Sequence, residues 1–209
     1  KQQFDYQIAA GDLGRYLRRT RDDFTASKPY LKVDANDRAR LRKTYADQAN
    51  GRPIIGISWR SGSEHAGVTR SIPLIDLRPL VADSSLIFVN LQYGETDMDL
   101  TTLRNMGCTI IDDTRVDPLK DMDLAAAQIT AMDLVVSAAN TTAHLGGALG
   151  IPTWMLLSKT PDWRWLAEGT EPPWYPNVRL FRQTNISDWR EPVAEIISAL
   201  HDLRNSMSP

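Results

Sequence analysis

The segment LVVSAANTTAHLGGALG, residues 134–150, decides the fold. Its first four residues are an apolar run that is typical of a buried β-strand. Small polar residues follow, and an alanine- and glycine-rich stretch then predicts a helix over residues 142–149, ending at Gly150. A strand that passes through a short polar turn into a helix is the repeating unit of parallel α/β sheets.

The same alternation of apolar runs and helical patterns extends over residues 53–200. The predicted strands cover residues 54–59, 86–91, 108–111, 134–137, 153–157 and 178–181. The predicted helices cover residues 73–81, 98–106, 123–132 and 142–149, and a last one begins with Ser187 as its N-cap. Nearly continuous apolar strands indicate a sheet buried on both faces. We therefore predict an α/β fold, a Rossmann-like doubly wound parallel sheet of about six strands.

Residues 1–50 differ from the rest because they contain helical patterns but no clear strand signal. Leu13, Tyr16, Leu17 and Phe24 fit a short amphipathic helix, and a second helix starts at Asp34 or Asn36. The sequence is therefore divided into a helical connecting segment, residues 1–50, and a Rossmann-like domain, residues 51–209. Because the chain begins with Lys1 and not with Met, we expect residue 1 to lie inside a longer protein.

Composition excludes several classes of protein. Hydrophobic residues make up 42% and charged residues 24%, as in ordinary globular proteins, and a net charge of −2 gives no reason to expect a nucleic-acid partner. The sequence has no apolar run of membrane-spanning length, so we expect no membrane span. The single cysteine, Cys108, cannot form an intrachain disulfide, so the expected location is cytoplasmic. Cys108 is either a small buried hydrophobe or a reactive thiol.

The turn between the fourth strand and its helix is a candidate phosphate site. Doubly wound sheets bind ligands beyond the carboxyl ends of their strands, and a helix start offers free N–H groups and partial positive charge. Asn140, Thr141 and Thr142 can cap this helix and add hydrogen bonds to phosphate oxygens. His144, one turn further, can donate to a phosphate through one ring nitrogen. The alternatives are a plain helix cap and a structural histidine.

Arginines follow the first strand, in a loop where anions commonly bind. Arg60 can neutralise a diphosphate through two parallel hydrogen bonds, and Arg70 lies ten residues further on. Each can equally be an ordinary surface arginine.

The loops after the second and third strands add candidate ribose and base contacts. Glu95 can accept hydrogen bonds from ribose hydroxyls, and Gln92 can bond ribose or phosphate, although water can also satisfy both side chains. Residues 112–124 are placed to line a base pocket, with Met122 and Leu124 as its apolar contacts. No cluster of histidine, cysteine or carboxylate side chains has metal-ligand spacing, and His65 and His201 have no evident partners.

Three common motifs are missing from the expected places. Neither the dinucleotide fingerprint G-x-G-x-x-G nor the P-loop pattern follows the first strand, and a serine nucleophile elbow is also absent. These absences argue against an NAD-dependent dehydrogenase, a P-loop NTPase and a serine hydrolase.

A series of short pieces follows in order along the chain: GISWRSG (56–62), RSIPL (70–74), LQYG (91–94), DLVVS (133–137), NTTAHL (140–145), GALG (147–150), PDWRW (161–165), WYP (174–176) and LFRQ (180–183). Together these pieces resemble the C-terminal domain of bacterial glycosyltransferases that carry tetratricopeptide repeats. More distantly, the chain resembles O-linked N-acetylglucosamine transferase and the lipopolysaccharide heptosyltransferases. The resemblance spans about residues 53–200.

This resemblance implies that residues 51–209 are the nucleotide-sugar-binding, C-terminal half of a GT-B glycosyltransferase. The implied enzyme inverts the sugar, needs no metal and no cofactor beyond its donor, and uses a nucleoside diphosphate sugar, with UDP as the expected nucleotide. The general base and the site for a protein or glycan acceptor would belong to an N-terminal domain outside this chain. The implied diphosphate contacts are Arg60, Asn140, Thr141, Thr142 and His144. The implied sugar, ribose and base contacts are Arg70, Gln92, Tyr93, Glu95, Met122 and Leu124.

One departure from the family pattern keeps alternatives open. Many relatives carry an aspartate, which would help orient the sugar, where this chain has Ala139. A non-catalytic nucleotide-binding or scaffold module is therefore an alternative. A nucleotide-sugar 2-epimerase of the same architecture is another, although no epimerase-like arrangement of carboxylates is evident.

Overall fold

The apolar runs form one parallel sheet in the computed structural model, which describes residues 4–24, 28–64 and 67–207. The strands are β1 (Ile54–Ser58), β2 (Ile87–Asn90), β3 (Ile110–Ile111), β4 (Leu134–Ala138), β5 (Thr153–Leu157) and β6 (Val178–Arg182). Their order is β3-β2-β1-β4-β5-β6, and every neighbouring pair is parallel. The predicted fold class is confirmed, and the strand order reverses between β1 and β4.

Helices cover both faces of the sheet. They are α1 (Leu13–Leu17), α2 (Ala35–Ala49), α3 (Gly67–Arg70), α4 (Leu74–Val81), α5 (Asp97–Asn105), α6 (Met122–Thr130), α7 (Thr141–Leu149) and α8 (Arg190–Met207). Short 3₁₀ turns occupy Ala10–Asp12, Arg21–Asp23 and Trp163–Trp165. No helix within the described ranges is long and apolar enough to cross a membrane.

Side chains that alternate along the strands fill three hydrophobic clusters, two of which receive residues of β1. Ile55 of β1 packs in a cluster with residues of α4 and α8, such as Leu80 and Ile196. Ile54 belongs to the opposite cluster, which contains Leu41 and Tyr45 of α2. Each large aliphatic side chain buried in this way contributes about 1.5–3 kcal/mol. Since Leu41 and Tyr45 are fully buried, α2 packs on the same body as the sheet although it precedes residue 50.

Two details of the helices differ from the sequence-based expectation. Leu13, Tyr16 and Leu17 of α1 are all exposed, so this five-residue helix does not bury the apolar face that its pattern suggested, and Phe24 lies beyond its end. The prediction that Ser187 caps the last helix is wrong, because α8 begins at Arg190 and Ser187 has φ +63°. An N-cap residue is normally extended.

Gly146 lets α7 lie close to the sheet. A Cβ atom at this position would overlap the Oγ1 of Thr153 in β5, and that hydroxyl is held by its hydrogen bond to the carbonyl of Ile151 (2.8 Å). A Cβ at Gly147 would instead meet the ring of Tyr175. The close approach of helix and sheet therefore depends on the first of these two glycines.

We expect Gly146→Ala to lower the free energy of unfolding by about 1–3 kcal/mol, because overpacking outweighs the better helix propensity of alanine. Denaturant unfolding measures the change. Gly14→Ala is the matched control, because Gly14 is also helical but has open space where its Cβ would lie. Equal effects of the two substitutions would contradict the close packing.

Candidate functional site

Asn140 joins the start of α7 to the end of β1. Its Oδ1 accepts hydrogen bonds from the amides of Thr142 (2.9 Å) and Ala143 (3.4 Å), so it is the N-cap of the helix. Its Nδ2 donates to Ser58 Oγ (2.7 Å) and to the carbonyl of Arg60 (2.8 Å). Because this buried side chain uses both of its polar atoms within the protein, the structure places it as a support of the turn.

Gln92 has a similar supporting position at the end of β1. Its buried Oε1 accepts from Ser58 Oγ (3.0 Å) and from the amides of Trp59 (2.9 Å) and Arg60 (2.7 Å). Its Nε2 donates to the carbonyl of Tyr93 (3.1 Å). The side chain expected to contact ribose or phosphate thus shapes the loop after β1.

The guanidinium of Arg60 lies against the start of α5. Its Nη1 is 3.1 Å from Asp99 Oδ2, and its Nη2 donates to the carbonyl of Glu95 at 2.5 Å. The side chain is 38% exposed, and exposed ion pairs contribute little, about 0–1 kcal/mol. Phosphate forms the same kind of charge-assisted hydrogen bonds with arginine as a carboxylate does, so it can replace Asp99 as the partner.

A cavity of about 170 Å³ opens beside the turn that enters α7. Its walls come from α6, α7 and the loops that follow β1, β2 and β3, and they are mostly apolar. Lining residues include Tyr93, Leu119, Met122, Thr141, Thr142 and Leu145. Four of the sequence-predicted site residues are thus brought together here, at the point where the strand order reverses.

Thr141 supplies two open hydrogen-bond donors to this cavity. Within the part of the chain that the structure describes, its amide and its hydroxyl make no hydrogen bond. The hydroxyl of Thr142, in contrast, donates to the carbonyl of Leu91 (3.3 Å). An anion at Thr141 would lie at the positive end of the nine-residue helix α7.

His144 belongs to a second cavity, formed by aromatic residues and the N-terminal segment. Its ring centroid is 4.8 Å from that of Trp165, and its Nδ1 is 3.2 Å from the hydroxyl of Tyr175. This cavity, of about 490 Å³, is also lined by Trp163 and Arg164. Burial, aided by the charge of Arg164, lowers the pKa of His144 below its usual value of 6.5. The imidazole is therefore neutral at pH 7.

The lowered pKa of His144 makes stability depend on pH. Burial disfavours the charged imidazole in the folded state but not in the unfolded chain. The contribution of His144 to stability is therefore full above pH 6.5 and is lost as pH drops through the lower folded pKa. We expect denaturation midpoints measured between about pH 7.5 and about pH 5 to fall more for the wild type than for His144→Gln. Parallel curves for the two proteins would show that His144 does not carry the effect.

The remaining predicted residues lie apart from the Thr141 cavity. Arg70 faces Asp162 at 3.8 Å, and its charge acts on His144, which lines the second cavity. The side chain of Glu95 is exposed. Leu124 packs partly buried against the core cluster of Leu41 and Tyr45.

The cysteine and the remaining histidines give no sign of thiol or metal chemistry in the part of the chain that the structure describes. Burial raises the pKa of the Cys108 thiol, which fits the interpretation of a small buried hydrophobe. His201 is exposed, and His65 lies outside the described residues. Among residues 4–24, 28–64 and 67–207, no group of three or more histidine, cysteine or carboxylate side chains is placed to hold a metal ion.

Sequence reasoning missed Gln128, which lines the Thr141 cavity from α6. It is 3% exposed and donates through Nε2 to the hydroxyl of Tyr45 (2.9 Å). The available signal was a single amide within the apolar run Ala125-Ala126-Ala127-Gln128-Ile129.

The fold is that of the Rossmann-like domains found in glycosyltransferases. Escherichia coli ADP-heptose lipopolysaccharide heptosyltransferase II matches with a TM-score of 0.61 and 17% identity, over 90% of this chain and 57% of that chain. A family 9 glycosyltransferase of Veillonella parvula matches with a TM-score of 0.59 and 13% identity, over 86% and 55% of the two chains. E. coli heptosyltransferase WaaC with ADP gives a TM-score of 0.53 and 15% identity, over 87% and 53%.

In sequence, the chain is 32% identical over 206 residues to Protein FlbA of Caulobacter vibrioides. This alignment covers 97% of the chain but 34% of FlbA, so the chain spans about a third of that relative. No family model matches the sequence. The resemblance to tetratricopeptide-repeat glycosyltransferases and to O-linked N-acetylglucosamine transferase stays a prediction.

Proposed function

We propose that this chain binds a nucleoside diphosphate sugar as the donor-binding part of a glycosyltransferase. The observation that carries the proposal is the Thr141 cavity, which combines apolar walls with open donors at a helix start. It lies beyond the carboxyl ends of β1 and β4, where doubly wound sheets bind their ligands. The likeness in fold to heptosyltransferases supports the same proposal.

In the proposed complex the base enters the cavity between Met122 and Leu145, and the diphosphate lies at the turn. The amide and hydroxyl of Thr141 donate to phosphate oxygens, and Arg60 exchanges Asp99 for the diphosphate. The exposed carboxylate of Glu95 accepts from the ribose hydroxyls. UDP, the nucleotide expected from the resemblance, is one candidate among the possible donors.

The proposed reaction is an inverting transfer. An acceptor oxygen or nitrogen attacks the anomeric carbon, the bond from that carbon to the diphosphate oxygen breaks, and the nucleoside diphosphate leaves. Donors at the start of α7, together with Arg60, would stabilise the leaving charge without a metal ion. The general base and the binding site for a protein or glycan acceptor lie, in this proposal, on another domain.

Calorimetry with UDP-, GDP- and ADP-sugars and a CMP-sugar, in the presence of EDTA, tests the proposal. We expect at least one of the diphosphate sugars to bind with a Kd below about 1 mM. Binding that requires a divalent cation would overturn metal independence. Absence of binding by all of them would overturn the donor-binding function.

A non-catalytic nucleotide-binding module is the second candidate, and Ala139 favours it. Where many relatives carry an aspartate, this chain has an alanine and hence no carboxylate to orient the sugar. Ala139 is buried in the apolar cluster of Ala143, Met155 and Trp165. Donor binding without transfer or donor hydrolysis, measured with an acceptor domain present, would support the module. Release of the nucleoside diphosphate on turnover would support the enzyme.

A further inference from the structure

The amide of Gln128 is fixed in one orientation by a chain of hydrogen bonds behind the Thr141 cavity. Its Nε2 donates to the hydroxyl of Tyr45, which donates in turn to Asp113 Oδ2 (3.0 Å). Arg115 holds the Asp113 carboxylate with its Nε and Nη2, both at 2.7 Å. These hydrogen bonds from Arg115 keep the pKa of Asp113 below its usual value, so the carboxylate is ionised and only accepts.

The donor and acceptor roles in this series of hydrogen bonds fix the orientation of the Gln128 amide. The single hydroxyl proton of Tyr45 must point at Asp113, so the oxygen of Tyr45 can only accept from Gln128. The nitrogen of the Gln128 amide therefore faces Tyr45, and Oε1 occupies the other position. An amide orientation that a hydrogen-bond network determines in this way is not interchangeable with the flipped one.

Oε1 of Gln128 is an acceptor on the wall of the cavity, where it is not fully buried and has no protein donor among the described residues. The residue as a whole is only 3% exposed. Its neighbours on the α6 wall of the cavity, Ala125 and Ile129, are apolar and offer no side-chain donor. This acceptor loses its access to water when a molecule fills the cavity, and a carbonyl left without a partner is unfavourable, so a donor on that molecule would stabilise the complex.

We propose that Gln128 recognises the base of the donor nucleotide, with Oε1 accepting a hydrogen bond from the exocyclic amino group of adenine or cytosine. This inference rests on the proposed function of the cavity. A hypoxanthine or uracil base would present a carbonyl oxygen at the same position, so that two acceptors would face each other. The geometry therefore points away from the UDP donor that the resemblance implies.

Two pairs of nucleotides test this inference, ADP with IDP and CDP with UDP: in each pair an oxo group replaces the amino group, and the adjacent ring nitrogen gains a proton. We expect the wild-type chain to bind the amino member of a pair about tenfold more tightly in calorimetry, as the loss of one hydrogen bond predicts. Gln128→Met, which keeps the volume but removes the acceptor, should bring the ratio close to one. Tyr45→Phe keeps Oε1 but frees the amide to rotate, and it should reduce the ratio as well.

The outcomes separate the inference from the proposed function. A wild-type chain that binds nucleotides without this preference, or prefers the oxo members, overturns the role of Gln128 and leaves the donor-binding function standing. A preference that survives in a folded Gln128→Met chain, or in Tyr45→Phe if the first variant fails to fold, also overturns it. Binding of GDP when none of the four binds overturns the role of Gln128 only, and failure of GDP and of all four nucleotides to bind the wild type overturns both.

Discussion

Asn140→Ala is expected to lower the free energy of unfolding by about 2–4 kcal/mol. Loss of an N-cap costs about 1 kcal/mol, and a buried polar group left without its partner costs about 1–3 kcal/mol. Asn140 is both a cap for the amides of Thr142 and Ala143 and a donor to Ser58 and Arg60. The substitution thus removes the link between α7 and the end of β1, and denaturant unfolding measures the result.

Asp34→Ala is the matched control for this prediction. Asp34 caps α2 through the amides of Asn36 and Asp37, but it is exposed and makes no link to the sheet. We expect its removal to cost about 0.5–2 kcal/mol, the cap contribution alone. If Asn140→Ala costs no more than Asp34→Ala, the buried link contributes nothing and the support of the turn must come from elsewhere.

Arg60→Ala is expected to weaken the binding of a nucleoside diphosphate by about 1–3 kcal/mol, the contribution of charge-assisted hydrogen bonds to a phosphate. Folding stability should change little, because the ion pair with Asp99 is partly exposed. Calorimetry with the tightest-binding nucleotide measures the affinity, and thermal unfolding shows that the variant is folded.

Arg42→Ala provides the control for charge. Arg42 forms a comparably exposed ion pair with Asp133 (2.8 Å), but this pair precedes β4 and so lies at the amino ends of the strands. Its removal lowers the net charge by the same amount without touching the cavity, so we expect an unchanged affinity. An Arg60→Ala chain that is folded and binds as tightly as Arg42→Ala would remove Arg60 from the site.

The sheet was predictable because each strand carries its own local signal. Apolar runs bounded by Gly, Pro and polar residues placed all six strands within one or two residues of their observed ends, and β5 matched at both ends. The last helix was misplaced at its start because a serine before a helical pattern fits an N-cap, while the backbone at Ser187 is left-handed. Cap patterns do not encode that conformation.

The candidate site was only partly predictable, since its hydrogen-bond partners are far apart in sequence. Thr141 and Thr142 follow from the strand–turn–helix pattern alone. Asn140 was proposed as a ligand, but its amide is satisfied by Ser58 and the carbonyl of Arg60, about eighty residues away. Gln128 depends on Tyr45 in the same manner. Such pairings arise only when the helices pack on the sheet, so local patterns do not reveal them.

A crystal structure of the chain with its tightest-binding nucleoside diphosphate tests the central claim most directly. We predict phosphate oxygens within hydrogen-bonding distance of the amide and hydroxyl of Thr141, with the base between Met122 and Leu145. A nucleotide bound in the aromatic cavity beside His144 and Trp163, or at the amino ends of the strands near Arg42, would contradict the account.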